Sequence, residues 1–152
     1  RIRFPEGHVF EDLFLIVDFS EVAKKVYLST IGTYFYYVRE NSISRSHYSI
    51  DKHLDHFTAQ FKNYRKLYSY SSLRKYRLVA FMRVYRRLIM AKEEHKESNI
   101  SSYLRDLQQY IPTWKDWIIS DVDKKEKIRF LLLKVIGLYQ YLNLFICFKG
   151  KV

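Results

Sequence analysis

The chain has 152 residues, 27 of them Lys or Arg and 16 Asp or Glu, so its formal net charge is +11 with histidines neutral. That length suits one domain, and a composition 48% hydrophobic and 18% aromatic supplies a core, which excludes a disordered tail or a solvating acidic segment. Four Gly and two Pro are too few for a many-turned sandwich or barrel, while the single Cys147 excludes an intramolecular disulfide framework and multi-cysteine zinc sites and suits a reducing compartment.

The sequence opens at Arg1 with no initiator Met, no signal-peptide pattern and no transit-peptide composition, and is expected to be a piece of a longer protein. Residues 9–26 place Phe10, Leu13, Phe14, Val17 and Val22 at spacings of three to five, with acids early and Lys24 and Lys25 late. This pattern predicts a helix whose charges suit its dipole. Two β-branched and aromatic runs, 26–31 and 34–38, flank Gly32 and Thr33 and predict a small β-hairpin.

A polar Ser- and Asn-rich loop over 40–49 follows, and from Ile50 onward the pattern is helical. Ser49 or Asp51 is expected to cap a helix to about Tyr68, Ser71 or Ser72 another to about Glu94, and Ser98 or Asn99 a third to about Ile111, before Pro112. A short helical turn is expected over 114–119. Asp121 or Asp123 then opens a last helix, expected to run unbroken through LLLKVIGLYQYLNLF. No period of solenoid length repeats. The fold class expected from these elements is mainly α with a small β-hairpin.

Charge is uneven along this layout. Between His56 and Lys92 there is no acidic residue, while lysines and arginines such as Lys62, Lys66, Arg74, Arg77, Arg83 and Arg86 alternate with tyrosines and phenylalanines. Such a stretch attracts anions: nucleic-acid phosphates, anionic lipid headgroups or a polyanionic substrate.

The segment FPEGHVFEDLF sets two adjacent carboxylates, Glu11 and Asp12, at a helix start behind a Pro-Glu-Gly loop. Acids in a first turn are ordinary dipole partners, but one projecting into a pocket can act as a general base. This segment, then a Lys-Val-Tyr run, then YFYYVRENSIS, resembles the C-terminal half of the catalytic domain of bacterial inverting family-two glycosyltransferases, which have the GT-A α/β fold. The similarity spans residues 3–46. It implies that residues 1–48 are the acceptor-side end of a GT-A catalytic domain and that 49–152 form a helical C-terminal domain.

The resemblance further implies a transferase that moves a sugar from a nucleotide-sugar donor to a glycan or lipid-linked acceptor in surface polysaccharide synthesis. Asp12 would be the catalytic base that deprotonates the acceptor hydroxyl, and Glu11 and Gly7 would lie at the substrate. Arg39 would sit near the donor diphosphate, where a fixed cation offsets leaving-group charge, with Ser42 on the same loop. Tyr37 stands where such enzymes often carry a further Arg. A divalent metal, Mg or Mn, would serve the full-length enzyme, with its Asp-x-Asp ligands upstream of Arg1; the 152 residues by themselves would be inactive. By its charge, the basic aromatic stretch 56–92, helped by the apolar C-terminal helix, would hold such an enzyme peripherally at the cytoplasmic face of the membrane.

Other features have plainer readings. His53 and His56, near His47, read as surface or capping histidines rather than a metal pair, Asp121-Val122-Asp123 as a helix cap, and Trp114 and Trp117 as core aromatics. The apolar stretch 130–148 contains one charge, Lys134, but Gln140, Asn143 and two tyrosines favour a buried or membrane-surface helix over a spanning one. The rival function is a non-enzymatic basic helical module on anionic membrane or nucleic acid, although no recognised nucleic-acid motif occurs in the basic stretch.

Overall fold

A computed structural model describes residues 2–27, 29–33, 35, 37, 49–95 and 99–149. Its elements are all helical: α1 (Glu11–Val22), α2 (Ile50–Ser69), a 3-10 turn (Ser71–Leu73), α3 (Arg74–Glu94), α4 (Ser101–Gln108), α5 (Trp114–Ile119), α6 (Lys124–Ile136) and α7 (Leu138–Lys149). The mainly α expectation therefore holds.

Local chemistry sets the boundaries. Ser49 caps α2 by accepting a hydrogen bond from Lys52 N, Thr113 and Asp116 form a reciprocal capping box on α5, and Asp123 caps α6 by accepting from Glu126 N at 2.7 Å. At the C-terminal end of α2, the Arg77 guanidinium donates to the carbonyls of Tyr68 and Tyr70, groups that a helix end leaves without partners.

Helix α3 lies at the centre. Leu78, Phe81, Tyr85 and Leu88, spaced by three and four, are fully buried among Phe57, Tyr64, Leu107, Phe130, Leu133 and Leu142 from the surrounding helices. Each such side chain contributes about 1.5–3 kcal/mol by leaving water. Two buried phenols are satisfied by carbonyls, Tyr64 Oη on Tyr110 O and Tyr85 Oη on Leu138 O, each at 2.6 Å. Burial pushes the ionisation of both well above the ordinary phenol value.

Helix α1 packs on α2 with both chains running the same way, since contacts climb together: His8 to Asp55, Leu13 to Asn63, Asp18 to Lys62 and Lys66, Glu21 to Lys66 and Tyr70. It buries Phe14 and Leu15 but leaves Ile16, Phe19 and Val22 exposed.

Two expectations need correction. Among the described residues no strand forms over 26–37, and Val26, Tyr27, Ile31, Phe35 and Tyr37 are 77–91% exposed; Leu28, Tyr34, Tyr36 and Val38 lie outside the described residues. A lone hairpin is marginal in water without a third strand or a covering layer, and nothing among the described residues covers this run. The last helix is also not continuous. Gly137, at φ 85°, ends α6, and α7 leaves at a bend of 117°. No single helix among the described residues is long and apolar enough to cross a membrane.

Candidate functional site

The site grows from the loop before α1. Gly7 adopts φ +77°, a conformation that favours glycine, and turns the chain toward α2. There Asp55 grips the loop with both oxygens: Oδ1 pairs with His8 Nδ1 and Oδ2 accepts from Val9 N, each at 3.0 Å. Phe10 then takes a left-handed conformation (φ 64°, ψ 40°), uncommon for a bulky residue, and sets its ring 4.5 Å from that of His56. Such backbone strain costs of order 1–3 kcal/mol and persists only where surrounding contacts hold it. Glu11 and Asp12 emerge from this bend side by side and exposed in the first turn of α1, where the helix dipole favours their anions. Asp12 Oδ1 accepts from Leu13 N at 2.8 Å.

Behind the loop stand the histidines of α2, which are not surface groups. His53 is fully buried and His56 nearly so. Sequence spacing alone cannot show burial at this position, because the covering layer comes from α3 and the loop before α1. Burial pushes the His56 pKa down to about 4, with Arg87 and His53 acting in the same sense and Asp12 opposing, so the ring is neutral near pH 7. Gln60 Nε2 donates to His56 Nε2 at 3.0 Å. His53 Nε2 pairs with Glu94 Oε2 at 3.0 Å, and with His95 these residues offer three metal-ligating atoms within 4.8 Å of one another. Glu94 and His95 close a group that local sequence around His53 did not reveal, because they stand at the far end of α3.

The implied divalent ion of a GT-A enzyme finds no fitting ligands in Asp121-Val122-Asp123. Asp123 spends its carboxylate on the α6 cap, and Asp121 is exposed before it.

The acid-free basic stretch is largely used inside the molecule. Asp18 draws Lys62 (2.7 Å) and Lys66 (2.6 Å), which hold its carboxyl below the usual range, and Glu21 shares Lys66. Arg86 pairs with Glu126. Arg74 and Arg77 both reach Asp116, a fully buried carboxylate on α5. Burial works against the Asp116 charge, but hydrogen bonds from the Thr113 backbone and hydroxyl and the two guanidiniums outweigh it and lower the pKa. Asp116 escaped the sequence reading, although Thr113-x-x-Asp116 is a capping-box spacing.

A cavity of about 700 Å³ opens between α1, α2 and α3, walled by Val17, Tyr64, Leu67, Val79 and Val84, with Glu21 and Arg83 among its polar groups. It meets α1 in its C-terminal half, away from Asp12. The structure thus brings Gly7, Glu11 and Asp12 together on one loop and helix start, beside His56. Arg39 and Ser42 lie outside the described residues. Of the two tryptophans, Trp117 is half-buried and donates Nε1 to Lys127 O at 3.2 Å, whereas Trp114 is exposed. No family model, curated protein or solved structure matches this chain.

Proposed function

We propose that this chain is the acceptor-side portion of an inverting glycosyltransferase of the bacterial family-two type, transferring a sugar from a nucleotide-sugar donor to a glycan or lipid-linked acceptor. The observation that carries this reading is the anchored loop. Asp55 clamps it at His8 and Val9, Phe10 bends it over His56, and Glu11 and Asp12 stand adjacent and open to a substrate at its end. A general base has to be both positioned and reachable, and Asp12 combines the two.

In the displacement, the acceptor oxygen bonds to the anomeric carbon as the bond from that carbon to the diphosphate oxygen breaks, and Asp12 takes the hydroxyl proton. Glu11 orients the acceptor. Arg39 and Ser42 are assigned to the donor side by resemblance alone. The exposed side chains of Val26, Tyr27, Ile31, Phe35 and Tyr37 add support, because they would gain free energy from further protein surface. The donor-binding half of a transferase would supply that surface. The basic-module reading has less support, since Lys62, Lys66, Arg74, Arg77 and Arg86 already pair within the fold.

The test is Asp12→Asn in the longer parent chain. Turnover should fall by about 10²–10⁴, the usual contribution of a positioned base, with donor affinity and melting temperature nearly unchanged. Near-normal turnover in that variant would reduce Asp12 to a dipole partner of α1 and move the assignment to Glu11.

A further inference from the structure

The outward side of α6 is built against the usual rule for a surface helix. Ile128, Leu131, Leu132 and Val135 stand at i, i+3, i+4 and i+7, the spacing of a single apolar stripe. Phe130 and Leu133 on the opposite side fill the core, so this second stripe faces solvent, its members 38–74% exposed. Trp117 Nε1 on Lys127 O ties α5, which packs on α3, to this helix, and Lys134 Nζ holds Pro112 O just ahead of α5. Helix α5 adds exposed Trp114 and Ile118, four residues apart on one face. Across the bend at Gly137, Tyr139 is also exposed.

We propose that this α5–α6 face docks on an anionic lipid bilayer, lying in the interface rather than crossing it. Charge complementarity selects the occupant. Lys124 and Lys125 precede Ile128 by four and three residues, which puts them on the stripe's own side, and Lys115 is exposed on α5. Of the nearby carboxylates, Glu126 is offset by Arg86 and Arg129, while Asp121 and Asp123 keep their charge and are outnumbered by Lys115, Lys124, Lys125 and Lys127. From Ile128 to Val135 the stripe runs about 10 Å, too short to span a hydrocarbon core but suited to burial at the headgroup boundary, where Trp and Tyr are also favoured. The proposal stands on this exposed face and does not require the transferase reading. It also moves the membrane contact from the basic 56–92 stretch, where Lys62, Lys66, Arg74, Arg77 and Arg86 are already paired with carboxylates, to a surface with exposed lysines beside apolar side chains.

The experiment is co-sedimentation of the 152-residue chain with neutral phosphatidylcholine vesicles and with vesicles about one-third phosphatidylserine. Binding should require the anionic lipid and weaken as salt rises from about 0.1 M to about 0.5 M. Lys124→Ala with Lys125→Ala should lower affinity about thirty-fold, since each basic residue at such a surface counts separately. Ile128→Ser with Val135→Ser should remove the binding that survives high salt. Lys75→Ala, an exposed cation on α3, should leave binding unchanged. All these side chains are exposed, so circular dichroism should show each variant folded. Equal binding to neutral vesicles, or undiminished binding by both double variants, would overturn the proposal. So would a self-associated chain that Ile128→Ser with Val135→Ser converts to monomer, because the face would then belong to a second copy.

Discussion

Helix α3 and the layer formed by α1 and residues 26–37 are similarly rich in large apolar side chains, yet they meet opposite fates. In α3 the spacing of three and four directs Leu78, Phe81, Tyr85 and Leu88 into one fully buried stripe, while Arg74, Arg77 and Arg86 pair with carboxylates of other helices. In α1 apolar residues lie around the helix, so covering Phe14 and Leu15 leaves Ile16, Phe19 and Val22 in water, and Val26, Tyr27, Ile31, Phe35 and Tyr37 beyond it are exposed. The contrast teaches that a stripe spaced by three and four is covered by one packed layer, whereas apolar residues spread around a helix leave some in water when only one face is packed.

Removing the anchor of the packed region should have the largest effect on stability. Asp116→Ala leaves the buried Arg77 guanidinium without its counter-charge, and breaking a buried pair in this way costs about 3–5 kcal/mol. Chemical denaturation would measure it, and a loss below about 1 kcal/mol would show that the α3–α5 contact is held by packing rather than charge. The same carboxylate predicts an acid limit. Because the Thr113 hydrogen bonds and the two guanidiniums hold its carboxyl below the ordinary aspartate value, the unfolded state binds more protons in that range. Its contribution is therefore full above the unfolded value and is lost as pH falls through the folded one. Asp116→Asn should flatten that acid limb of the stability curve.

The partly covered region should respond more weakly. Gly7→Ala meets no steric obstacle, since nothing lies within 4 Å of the added Cβ, but φ +77° strains any L side chain, at about 1 kcal/mol. Its sharper readout is the Asp55 clamp: the His8 ring should lose its pairing shift by NMR if the turn relaxes. The smallest effect belongs to Ile31→Ser. The side chain is 91% exposed, so stability of this chain should move by no more than about 0.5 kcal/mol. In a longer chain that carried the proposed donor-binding half, the same substitution should cost more, and equal effects in both would remove the argument that Val26, Tyr27 and Ile31 are covered there.

Much of the bundle was legible before any coordinates. Ser49 and Asp123 marked helix starts with side chains able to accept their orphan amides, and Pro112 marks an end by a backbone restriction that no partner can alter, whereas the apolar pattern runs on through Gly137, where the folded chain breaks. The loop of the candidate site was equally legible, because Gly7, Glu11 and Asp12 are neighbours in the chain. Its anchor was not. Asp55 and His56 lie over forty residues away, and only packing of α1 on α2 brings them to His8 and Phe10.

The sequence by itself determined which residues become helical and which loop carries adjacent carboxylates, since caps, breakers and short-range spacing act within a few residues. Tertiary structure decided what those helices face. It buried His53 and His56 under α3 and the N-terminal loop, and it spent the acid-free cations on Asp18, Asp116 and Glu126. It also turned the Ile128–Val135 stripe outward, because α6 carries two apolar sides and Phe130 and Leu133 won the core. Burial and pairing depend on atoms distant along the chain, and no local pattern states which of two apolar faces those atoms will cover.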